Sequence, residues 1–117
     1  MNLAPLKWNL PPVTQEDTYP AIQITESGSE TDLIRVRMKV RDVAGSEVLS
    51  LDSDTTGMTI TSGTAGSWDF QIDEIDDETT RELSPGFHSY DMEFTDETGA
   101  VRTFFAGSWE ILKQITY

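Results

Sequence analysis

Apolar and polar residues alternate with a period of two through most of this chain, and the segments that do so predict strands. The clearest runs from Leu33 to Arg41, where Ile34, Val36, Met38 and Val40 point one way and Arg35, Arg37, Lys39 and Arg41 the other. His88, Tyr90, Met92 and Phe94 share one face of a second strand, opposite Ser89, Asp91, Glu93 and Thr95. Asp96 to Gly99 then supplies a Gly-ended turn into a last run, Val101 to Thr116, to close a long hairpin. Shorter strands are predicted at 21–25, 47–51, 58–61 and 67–73, the last with Trp68, Phe70 and Ile72 inward. About seven strands separated by turn signals every 8–12 positions have the rhythm of an all-β, immunoglobulin-like antiparallel sandwich.

Two stretches break the alternation. Asp76 to Leu83 is acidic at its start, where carboxylates complement the helix dipole, and stops at Ser84-Pro85-Gly86; it predicts a two-turn helix anchored by Ile75 and Leu83. Residues 1–18 contain Pro5, Pro11 and Pro12, with Leu6, Trp8 and Leu10 spaced by two, so an extended amino-terminal arm is expected before a domain at 19–117. Its apolar residues could cover an open end of the sandwich or anchor on a neighbouring subunit.

Composition narrows the function. Twenty-one acidic against eight basic residues give a net charge of −13, which disfavours phosphate backbones and anionic membranes and suits a basic partner. With no cysteine, disulfides, thiolate metal sites and Cys nucleophiles are excluded. The first residues lack the long apolar core of a signal peptide, and no apolar run has membrane-helix length, so a chain made and used in soluble form is expected.

Candidate chemistry is sparse. His88, the one histidine, phases with apolar residues and lacks a motif-placed nucleophile or orienting acid. No glycine cluster has phosphate-loop spacing. Asp52-Ser-Asp54-Thr-Thr-Gly57 begins like a calcium loop, but Gly63 stands where the closing acid belongs, and an ordinary turn explains it. No catalytic, cofactor or metal residue is therefore assigned. Four of the eight basic residues, Arg35, Arg37, Lys39 and Arg41, form one stripe. It predicts either a cross-strand ladder, with Asp69, Gln71 and Asp73 or with Asp91 and Glu93, or a docking surface for an acidic face. Phe104 and Phe105 are adjacent, so one ring faces outward unless Ala106-Gly107 forms a bulge.

The order of Trp68 to Ile72, the acidic helix, Leu83-Ser-Pro-Gly86, Tyr90 to Asp96, Gly99 and Phe105 to Ile111 resembles small immunoglobulin-like virion proteins of tailed bacteriophages. Among them it is similar to the amino-terminal domain of the baseplate upper protein, over about residues 19–117. Two strand patterns carry the likeness, Leu83 to Met92 and Gly107 to Ile111. In that family the sandwich continues into a longer receptor-binder-carrying region, whereas this sequence ends at Tyr117, so a free-standing adaptor, attachment or decoration subunit is expected. The resemblance implies a non-enzymatic structural protein of the virion, assembled in the host cytoplasm. Its expected partners are other virion proteins or a second copy, not nucleic acid or membrane, contacted through Leu6, Trp8, Leu10 and the stripe. An acidic nucleic-acid mimic that inhibits a DNA-binding enzyme is the alternative, and a sugar-binding sandwich is weaker because Trp68 and Trp109 phase with core residues.

Overall fold

The computed structural model describes residues 6–27 and 29–114. In chain order its elements are β1 (Leu6–Lys7), β2 (Leu10–Thr14), β3 (Ile22–Ser27), β4 (Leu33–Arg41), β5 (Glu47–Asp52), β6 (Met58–Ser62), β7 (Ser67–Ile72), α1 (Asp77–Glu82), β8 (Gly86–Asp96) and β9 (Val101–Leu112). The larger sheet has the order β9-β8-β4-β5, with β1 and β2 both lying on the outer side of β9; the smaller has the order β3-β7-β6. The result is an all-β, immunoglobulin-like sandwich with one short helix.

Apolar side chains from the two inner faces meet between the sheets. Val36, Met38 and Val40 of β4, Met92 of β8, Phe70 and Ile72 of β7, and Trp109 and Ile111 of β9 are almost wholly buried. Each contributes about 1.5–3 kcal/mol by leaving water. Phe94 ties the layers together: its ring stands edge-on to Trp68 and Phe70 across the gap, with centroids 5.5 and 5.0 Å away.

The seven strands and the helix expected from periodicity are all present, but β1 and β2 change the reading of residues 6–14. Leu6–Lys7 and Leu10–Thr14 pair in parallel with β9, so this stretch is extended but is the edge of the sheet rather than an arm outside it. Pro11 and Pro12 are tolerated because β2 is an edge strand, where a missing N–H need not break a ladder. The expected division at residue 18 therefore falls inside one packed unit.

Two bulges also adjust the alternation. Leu33 pairs with Asp96 and Arg35 with Thr95, leaving Ile34 as the extra residue; Leu33 is buried and Ile34 is 54% exposed, the reverse of its expected orientation. In β9, Met92 pairs with Phe105 and Glu93 with Thr103, so the bulge lies at Phe104 and not at Ala106-Gly107. It turns Phe105 inward. Gly107 serves a different purpose: a Cβ there would lie 2.1 Å from the Trp8 carbonyl oxygen, so only glycine lets β9 approach the amino-terminal strand.

The helix begins at Asp76, whose carboxylate accepts from the Thr79 amide at 2.8 Å, a bond that with the Thr79 hydroxyl holds it below the usual aspartate range. Ile75 and Leu83 anchor it as expected. Thr80 is a third anchor, fully buried with its hydroxyl donating to the Asp17 carbonyl at 2.7 Å. The expected extension of the last strand to Thr116 stops at Leu112, and residues 115–117 lie outside the described residues.

Candidate functional site

The basic stripe occupies the outer face of the larger sheet, flanked by acidic strands on both sides. Arg35 forms a two-point bond with Asp52 of β5, its Nε donating to Oδ1 at 3.0 Å, and lies 3.4 Å from Asp54. Arg37 donates to Glu93 at 3.1 Å and Arg41 to Asp91 at 3.3 Å, both across to β8. Lys39 approaches Glu47 at 4.0 Å. These are the rungs of a ladder, each worth about 0.2–1 kcal/mol where solvent reaches it. Asp91 and Glu93 are among the expected partners; Asp69, Gln71 and Asp73 are not, because β7 belongs to the other sheet. The cross-strand ladder expected of the stripe is therefore present within the domain, although Arg37 Nε is buried without a hydrogen-bond partner.

The Arg35–Asp52 rung also accounts for the loop that resembled a calcium site. The guanidinium bond draws the Asp52 carboxyl below the usual aspartate range and raises Arg35 above its own. Asp52 Oδ1 also accepts from the Asp54 amide at 3.0 Å, and the Asp52 amide donates to the Thr56 carbonyl at 2.8 Å. The first aspartate of the loop is thus a turn-closing group turned toward an arginine.

Of the expected anchors in the amino-terminal segment, Leu10 is buried in its own core and Trp8 is half-buried. The Trp8 ring meets Phe105 edge-on at 5.7 Å. Leu6 pairs through its backbone with Phe105, and its side chain lies outside the described residues. Trp8 and Leu10 thus cover their own sandwich, the first of the two roles expected of them.

Periodicity missed the polar tips that hold this segment down. The Pro11 carbonyl accepts from the Tyr19 hydroxyl at 2.7 Å and from Trp109 Nε1 at 3.1 Å; the Trp8 carbonyl accepts from the Tyr90 hydroxyl. A signal existed, since buried Tyr and Trp need partners and a Pro-containing extended segment offers unclaimed carbonyls. Burial pushes both Tyr19 and Tyr90 up to about 12.

His88 is 2% exposed, faces the core opposite Trp109, and has one polar neighbour, the Gly86 carbonyl at 3.4 Å from Nδ1; its Nε2 has no partner. Two shallow grooves lie elsewhere. One, of about 330 Å³, runs between Val48 and the helix residues Asp76, Glu78, Thr79, Glu82 and Leu83. The other, of about 300 Å³, is lined by Gln23, Ile24, Thr25, Thr61, Asp69 and Phe70 of the smaller sheet. Among the described residues no group of three or more His, Asp or Glu side chains could hold a metal ion, and no helix is long and apolar enough to cross a membrane.

No family model and no curated protein matches this chain. Among solved structures, a family 123 glycoside hydrolase from Clostridium perfringens is similar over 95% of the chain, with a TM-score of 0.52 and 15% identity. The chain spans 23% of that enzyme, and the likeness is one of fold alone. Fibronectin(III)-like modules of Clostridium thermocellum CbhA match at a TM-score of 0.44 and 16% identity, covering 97% of this chain and 98% of theirs. Murine CRIg matches at 0.36 and 10% identity, covering 95% of this chain and 94% of its own.

Proposed function

We propose that this chain is a non-catalytic structural module of a tailed-phage virion, acting by protein–protein contact as an attachment, baseplate or decoration subunit and assembled in the host cytoplasm. The virion part rests on the sequence resemblance of residues 19–117. The observation that carries the non-catalytic part is the position of His88: a general base must reach its substrate, and this ring is enclosed by the core and oriented by no carboxylate. The charged residues most suited to chemistry, Arg35, Arg37, Asp52, Asp91 and Glu93, are engaged in building the sheet.

Acidic mimicry of nucleic acid is supported less well. Carboxylates along the outer face of the larger sheet would have to be free to imitate phosphates, whereas Glu47, Asp52, Asp91 and Glu93 face basic residues.

Mass spectrometry and immunogold labelling of gradient-purified particles of the encoding phage test the proposal. The chain is expected at a fixed stoichiometry in mature particles. Its absence from them overturns the virion reading.

A further inference from the structure

The slot that receives residues 6–14 is built along β9 by groups that read backbone and shape. Tyr90 donates to the Trp8 carbonyl, and Tyr19 and Trp109 both donate to the Pro11 carbonyl. The Trp8 amide donates to the Ala106 carbonyl at 3.0 Å, and Asn9 Oδ1 accepts from the Ser108 amide and hydroxyl at 3.1 and 3.2 Å. Gly107 leaves room for this approach, while Leu10 and Val13 fill the core beneath. None of these contacts requires the strand and the slot to belong to the same copy of the chain.

The connection between them is short and strained. The Asp17 amide donates to the Thr14 carbonyl at 3.0 Å, closing a tight turn, and Glu16 within it has a φ of 70°. Among the described residues it is the one non-glycine residue with a positive φ, a conformation that a Cβ disfavours. Residues 16–18 are exposed. A short hinge under strain, next to a terminal strand, favours passing that strand to a neighbouring copy. Charge acts in the same direction. Residues 1–15 carry Lys7 and no acidic residue, so all 21 carboxylates lie from Glu16 onward and the acidic body of a second copy attracts the strand.

We infer that residues 6–14 exchange between two copies, β1 and β2 of each seating on β9 of the other about a two-fold axis. From Gln15 to Tyr19 the opened hinge spans about 13–14 Å when extended, so the copies meet at the end where α1 lies. Opening gives up the Thr14 turn bond, the Glu16–Arg81 pair at 3.2 Å and the Thr80 bond to the Asp17 carbonyl. Thr80 keeps the Asp77 carbonyl at 3.2 Å. The carboxylates of the two helices, Asp77 and Glu78 among them, also draw closer. Against the relief at Glu16, these losses make the monomer the main form in dilute solution. The exchanged dimer is populated by concentration and by salt that screens the repulsion.

The inference deepens the interaction-module reading by naming a partner, and rests on it. Its failure stays distinguishable, because exchange is tested on the purified chain while particle composition tests the virion role.

Two single-cysteine versions of the full chain, Asn9→Cys and Ser108→Cys, are mixed at millimolar concentration in high salt under mild oxidation. These side chains touch, so they join two different chains when the strand of one lies on β9 of the other. A covalent heterodimer is expected in excess over a control mixing Ser108→Cys with Ser50→Cys, an exposed position on β5 at the far side of the sheet. Sedimentation velocity reads the hinge. Glu16→Pro fixes φ at about −65°, which the closed turn excludes, and is expected to lower the dimer dissociation constant by about tenfold or more. Glu16→Gly accepts the positive φ and is expected to raise it. A heterodimer no more abundant than the control overturns the inference. So does a dissociation constant that ignores both Glu16 variants, and the cysteine readout on the unaltered hinge stands even where Glu16→Pro fails to fold.

Discussion

The hydroxyl of Tyr90 donates to the backbone carbonyl of Trp8, 82 positions earlier in the chain, and so fastens the amino-terminal strand to the middle of the larger sheet. Trp8 returns a backbone bond of its own, its amide donating to the Ala106 carbonyl at 3.0 Å. Removing the Tyr90 hydroxyl leaves the carbonyl without that donor. Tyr90→Phe is expected to cost about 1–3 kcal/mol in urea unfolding, with faster hydrogen exchange at the Trp8 amide as the local signature.

Gly107 makes the same junction possible from the other side. Gly107→Ala introduces a Cβ where the Trp8 carbonyl stands, and backbone yields less readily than a side-chain tip. The strand must move away from β9, for an expected loss of about 1–3 kcal/mol in chemical denaturation. Gly45→Ala would be a poor control, because the open space at Gly45 is coupled to a positive φ of 86° that alanine resists.

Shortening the chain to begin at Thr18 tests whether residues 6–14 belong to the domain. Leu10 and Val13 are buried at 5% and 6%, and each forfeits about 1.5–3 kcal/mol of transfer free energy. Trp109 and Tyr19 also lose their shared acceptor at Pro11. Against a typical stability of about 5–15 kcal/mol, the shortened chain is expected to unfold or melt far below the full one by circular dichroism. An unchanged melting temperature would mean that the amino-terminal strands ride on the sandwich without supporting it.

Alkaline titration reads the two buried tyrosines together. Burial raises each phenol from 10.0 to about 12 in the folded chain, so the native state keeps protons that the unfolded state has lost. Their contribution is complete below pH 10 and declines as pH climbs from 10 toward 12. Thermal melts across that window are expected to show falling stability. Tyr19→Phe with Tyr90→Phe should flatten that part of the profile while lowering stability at neutral pH.

Several positions show where a linear reading suffices and where it stops. Val36, Met38, Val40, Met92, Phe94 and Trp109 are inward as their phase requires, since a strand with one wet and one dry face has little freedom in how it alternates. Arg35 and Arg41 were equally legible as one stripe, but their partners were not: which carboxylates lie across from them depends on β5 and β8, not β7, flanking β4. Ile34 broke the pattern because a bulge adds a residue that no period of two anticipates.

The amino-acid order alone determined the all-β class, the strands from residue 22 onward, the helix beginning beside Asp76 and the scarcity of catalytic groups, because these follow from periodicity, capping and composition within short windows. Only the tertiary structure decided that residues 6–14 complete the larger sheet and that Arg35 closes the Asp52 turn. Those outcomes rest on hydrogen bonds between segments far apart in the chain, and the geometry that selects such partners exists only once both sheets have formed.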